Sequence, residues 1–109
     1  MAYSEQLAER MRAVIGTRDA VTERRMFGGI VWLVDGNMAV GTFGEDMMVR
    51  LSPEDAAEAI ARPQVVPMEM RGRPMRGFVV VRAAGIEDDA DLAHWIDEGA
   101  AFATSLPPK

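Results

Sequence analysis

Five arginines stand where a recognition site could be built. Arg24 and Arg25 precede Met26-Phe27-Gly28-Gly29, Arg50 closes Asp46-Met47-Met48-Val49-Arg50, and Arg73 and Arg76 bracket Pro74-Met75. Guanidinium groups pair in bidentate fashion with carboxylate or phosphate, so convergence of these side chains at one end of a sheet would make an anion site. The competing reading is ordinary surface charge, solvated or paired with the nearby Glu23, Glu45, Asp46 and Glu69 at little gain per exposed pair. Gly28-Gly29 runs into the apolar Ile30-Val31-Trp32-Leu33-Val34. Paired glycines at the head of a strand mark a bulge or a close backbone approach. A phosphate cradle would need a helix after the glycines, and a strand follows here. Phe27 reads as core or sheet-edge packing against the long last helix. The candidate binding set is Arg24, Arg25, Phe27, Gly28, Gly29, Arg50, Arg73 and Arg76.

Catalytic and metal chemistry find less support. His94 is the only histidine, with Asp91 and Asp97 three residues to either side. A metal there would need further strong ligands, and only carboxylates are at hand. Glu87, Asp88, Asp89 and Asp91 crowd the start of a helix, where capping and the helix dipole account for acids. The chain has no cysteine, hence no thiolate nucleophile or cysteine-held zinc. It has no Gly-x-Ser-x-Gly elbow and no hydroxyl with a convincing base. The expectation is a non-catalytic protein with neither metal nor cofactor.

At 109 residues with 49% hydrophobic content, the chain suits one domain around one modest core. Its net charge is −5, and residues 83–109 hold 1 base against 6 acids while residues 24–82 hold 8 against 7. An acidic domain is a poor autonomous binder of duplex DNA, since that affinity comes largely from neutralising phosphates. No apolar run is long enough for a membrane span, and the start lacks a signal-peptide pattern, so a cytoplasmic location is expected. Nine methionines are many for this length, and seven of them (Met26, Met38, Met47, Met48, Met68, Met70 and Met75) fall on or beside apolar runs. Flexible thioethers fill irregular cores and line adaptable binding surfaces. Because successive strand residues face opposite sides, Met47 and Met48 cannot both lie under the helices. An exposed methionine patch would favour a protein partner over a polar substrate.

The elements that must position these residues are legible from periodicity. Ser4 caps a helix over 5–15 whose apolar face is Leu7, Met11, Val14 and Ile15, and Gly16 closes it. From Val21 to Leu51, short apolar runs broken at Asp35-Gly36-Asn37 and Gly44-Glu45-Asp46 predict a three-strand antiparallel meander. Ser52-Pro53-Glu54-Asp55 starts a short helix running to about Ala61, ended by Pro63. Val65 to Met70 and Phe78 to Arg82 read as strands joined by a Gly72-Arg73-Pro74 turn. Asp88 or Asp89 caps the last helix, whose stripe of Leu92, Trp95, Ile96, Gly99, Phe102, Ala103 and Leu106 predicts a broad docking face, with Pro107-Pro108 as the stop. The predicted class is α+β, two-layer, helices packed on an antiparallel sheet, in the order helix, three strands, helix, two strands, helix.

The segment 24–34, with Met38, Asp46-Met47-Met48-Val49-Arg50 and Arg73-Pro74-Met75-Arg76-Gly77, resembles the N-terminal domain of the TfoX/Sxy competence regulators, and the resemblance covers nearly the whole chain. It implies a two-layer fold, a regulatory family and no catalytic group. Full-length members add a C-terminal domain, for which 109 residues leave no room, so a stand-alone domain is expected. The resulting expectation is a protein-binding regulatory module, able to self-associate as a homodimer through its sheet, with no membrane association. The rival expectation is a small-molecule or nucleotide-binding protein using the arginines as an anion clamp.

Overall fold

The computed structural model describes residues 3–26 and 28–109; Phe27 lies outside them. The chain opens with α1 (Glu5–Ile15), where the Ser4 Oγ accepts from the Leu7 N–H at 3.1 Å. Leu7, Ala8, Met11 and Ile15 form its buried face. Four strands follow: β1 (Val21–Met26), β2 (Gly29–Val34), β3 (Asn37–Phe43) and β4 (Asp46–Arg50). Next come α2 (Pro53–Ala59), capped by Ser52, then β5 (Val65–Met70), β6 (Arg73–Val81), a 3-10 turn at Ala83–Gly85, and α3 (Asp89–Ser105). The six strands make one antiparallel sheet in the order β1-β2-β3-β4-β6-β5.

The α+β two-layer expectation holds, but the first sheet segment has four strands rather than three. Val21–Met26 is a strand of its own, pairing with β2 from Val21↔Val34 to Met26↔Gly29. Its sequence, Val-Thr-Glu-Arg-Arg-Met, has almost no apolar alternation because it is an edge strand whose middle four residues are exposed. Gly28, with φ of 74°, sits in the reversal between them, a backbone conformation that side-chain-bearing residues adopt at a cost. The turn before β6 is also tighter than predicted. Arg71 and Gly72 (φ 54° and 77°) make it alone, and Arg73 and Pro74 already belong to the strand.

Alternation along the strands builds two separate cores. Ile30, Trp32, Val34, Met47, Val49, Val65, Val79 and Val81 face the helices and pack with Leu7, Met11 and Ile15 of α1, Ala56 and Ala59 of α2, and Leu92, Trp95, Ile96, Ala100 and Ala103 of α3. At Gly99 the helix comes so near the sheet that a Cβ would lie 2.6 Å from the Ala39 carbonyl oxygen. The opposite face carries Val31, Leu33, Met48, Met68 and Val80, ringed by Met26, Met38, Phe43, Val66, Met70, Met75 and Phe78. Every member of this second cluster is a strand residue or borders one, and no helix residue belongs to it. Five of its side chains are nevertheless at most 7% exposed. Burial by strand residues alone requires a sheet that coils until its long side chains cover one another. Register shifts at Trp32/Leu33 and Pro67/Glu69 supply such coiling, and the Cα envelope is nearly isotropic at 31 × 30 × 28 Å.

Candidate functional site

The arginines do not gather at one point. Arg24 and Arg25 are exposed on β1, at one margin of the sheet, while Arg73 and Arg76 are exposed on β6, four strand positions away, ~19 Å across the strands at ~4.8 Å per step and further still along them. They also separate by face, because residues directly opposite in register point to the same side of a sheet. Arg24 opposes Val31 and Arg73 opposes Met70, so these two share the helix-free face with the methionine cluster, whereas Arg50, opposite Phe78 at the end of β4, reaches α3. Arg25 opposes Ile30 and belongs to the helix side, and Arg76 alternates away from Met75. The Arg50 guanidinium lies 5.5 Å from the Phe78 ring centre and 5.6 Å from that of Phe102, held between two aromatic faces.

Pairing separates the arginines into two populations. Arg10 binds Asp89, Arg12 binds Glu23, Arg18 binds Asp97, and Arg62 approaches Glu98 at 3.7 Å. All four ion pairs lie on the helix side. Among the described residues Arg24, Arg25, Arg50, Arg73 and Arg76 have no carboxylate within ion-pair distance, so the neighbouring-acid pairings considered from sequence do not form. Glu23 is committed elsewhere. Its two oxygens take the Arg12 Nε and Nη2 at 2.8 and 2.9 Å, and it accepts from the indole Nε1 of the buried Trp32 at 3.1 Å. The hydrogen bond from Arg12, with its positive charge and the Trp32 N–H, holds the Glu23 carboxyl below its ordinary pKa, and the same bond raises that of Arg12.

Gly29 serves a close approach rather than a bulge. A Cβ there would fall 2.4 Å from the Oγ1 of Thr42, the buried hydroxyl that accepts from the Ile30 N–H at 3.0 Å. Gly28 borders a depression of about 500 Å³ with Thr42, Phe43 and the Gly44–Asp46 turn, but its charged lining is Glu45 and Asp46, which repels anions. A neighbouring hollow of about 360 Å³ contains Arg10, whose donors are already taken by Asp89 and the carbonyls of Ile86 and Glu87. None of the five candidate arginines lines either hollow. His94 contacts Glu98 at 2.5 Å and meets Trp95 edge-on.

The candidate set drawn from sequence missed the apolar part of this face. Six of the nine methionines, namely Met26, Met38, Met48, Met68, Met70 and Met75, belong to the second cluster, while Met47 lies under the helices. A signal was present in the i, i+2 spacing of Met68 and Met70 and in the adjacency of Met47 and Met48, which alternation must send to opposite faces. What the arrangement offers chemically is a strip of long, flexible thioethers and two aromatic rings, flanked by Arg24 and Arg73, which have no carboxylate within ion-pair distance among the described residues. No curated protein matched the chain. The family model of the TfoX N-terminal domain matches residues 13–103 of the 109, spanning every strand, α2, nearly all of α3 and the last residues of α1, and the chain belongs to that family.

Proposed function

We propose that this domain is a non-catalytic, protein-binding module of the regulatory kind for which its family is known, and that its working surface is the helix-free methionine face. The observation that carries the reading is the conjunction of that face with arginines lacking internal partners. An apolar strip ringed by half-buried methionine and phenylalanine suits a macromolecular surface better than a small polar ligand. The alternative, an anion clamp for a nucleotide or small molecule, needs the arginines to converge, and four strand positions separate the first pair from the last.

Site-specific photo-cross-linking in cells tests the proposal. A photoreactive residue at Met38 or Met75, on the methionine face, should yield discrete heavier adducts, while the same residue at Glu58 on the exposed side of α2 should not. Adducts arising only from α2, or from neither face, would overturn the assignment.

A further inference from the structure

We infer that the occupant of this face is an acidic amphipathic helix presented by another protein, its apolar stripe lying on the methionines and its carboxylates meeting Arg24 and Arg73; this rests on the protein-binding reading above. Charge is the first reason. Both arginines stand in direct register with a member of the cluster, and among the described residues neither has a carboxylate within ion-pair distance. The single carboxylate in register with it, Asp46 opposite Phe43, is already taken by the Ala83 N–H at 2.8 Å. The face is therefore net positive on a chain of net charge −5, whose acids concentrate on α1, α2 and α3 and the lead into α3.

That segregation also argues against a second copy. A two-fold axis would set this face against itself, arginine rim on arginine rim, with the acids of both protomers on the outer helical layers. Dimension is the third reason. Arg24 and Arg73 are four strand positions and about seven residues apart, ~30 Å along the sheet. A helix of about 20 residues covers the same length, so carboxylates near its two ends reach both. Methionine tolerates a helix of imprecise shape, since its unbranched side chain adjusts to the groove it must form.

The methionines themselves provide the test. With methyl-13C-methionine in the full chain, two synthetic helical peptides of about 20 residues (~30 Å) are titrated, sharing one leucine stripe and differing only in glutamate or lysine on its flanks. The glutamate peptide should shift the methyl signals of the rim methionines Met26, Met38, Met70 and Met75 saturably, leaving Met11 and Met47 beneath the helices unmoved. The lysine peptide should not. Arg24→Glu combined with Arg73→Glu should weaken the glutamate peptide by about tenfold or more, with the Met11 and Met47 signals reporting that the fold is intact. Equal shifts from both peptides, no shift from either, or shifts that follow protein concentration alone, as a second copy would produce, each overturn the acidic-helix assignment. Cross-linking from Met38 and Met75 would still succeed in those cases if the face binds protein of another chemistry, so the two failures are distinguishable.

Discussion

Replacing Gly99 by alanine sets two effects of opposite sign against each other. By helix propensity alone the change stabilises α3 by about 1 kcal/mol. The new Cβ, however, would lie 2.6 Å from the Ala39 carbonyl oxygen and 2.7 Å from the Val40 Cγ1, against an ordinary separation of ~3.5 Å or more. The helix must retreat by several tenths of an ångström, or the strand must yield. Neither is easy, because Ala39 and Val40 are both fully buried and Leu92, Ile96, Ala100 and Ala103 tie the helix to the same surface. Overpacking of this kind costs roughly 1–3 kcal/mol, and a backbone atom in the clash places it at the upper end. The net expectation is a loss of about 1–2 kcal/mol, or roughly 5–15 °C of Tm for a domain of this size. Urea unfolding and thermal melts followed by circular dichroism measure it, with Ala101→Gly, at an exposed position of the same helix, calibrating propensity alone at about 0.5–1 kcal/mol of loss. A Gly99→Ala variant that melts higher than the parent would show that α3 does not rest on the Ala39–Val40 backbone, and the packing described for the helical layer would be wrong.

Other outcomes follow from the same contacts. Glu23 has a folded-state pKa below its unfolded value, so its pairing with Arg12 and Trp32 stabilises above the unfolded carboxylate pKa of about 4.3 and is lost as pH falls through the folded value. Glu23→Gln should therefore be less stable than the parent near neutrality, with the gap closing in acid melts below about pH 4; a gap independent of pH would refute the ion-pair account. Trp95→Ala, at a 6% exposed position, should cost roughly 3–5 kcal/mol in chemical unfolding, and Phe102→Ala, which is only half-buried, distinctly less. We also expect no sequence-dependent binding of duplex DNA by anisotropy at about 150 mM salt, given the net charge of −5; tight, sequence-dependent binding there would refute the argument from charge.

Local chemistry was legible in the sequence because it acts over a few residues. Ser4, Ser52 and Asp88 cap the three helices as their hydroxyl and carboxylate positions predict. Val65–Met70 matches its predicted span, and Asp35-Gly36 makes the tight turn that pairs Val34 with Asn37. The stripe of α3 buries Leu92, Trp95, Ile96, Gly99 and Ala103. β1 escaped because an exposed edge strand needs no apolar alternation, and its arginines drew attention as a motif instead of as one side of a hairpin.

Tertiary structure alone decided three things. It placed β6 between β4 and β5, an order that depends on α2 carrying the chain across the helical side, which no local pattern encodes. It divided the arginines, since register against Val31 and Met70, and not sequence proximity, settles that Arg24 and Arg73 share a face from which neighbouring Arg25 is excluded. And it turned scattered methionines into one surface, because strand alternation says only that Met47 and Met48 part company, whereas the side that receives the helices is chosen by the packing of α1, α2 and α3 against Trp32, Met47 and Val79. Residue types and short spacings are properties of the chain; which of them meet is fixed by long-range packing that no short window contains.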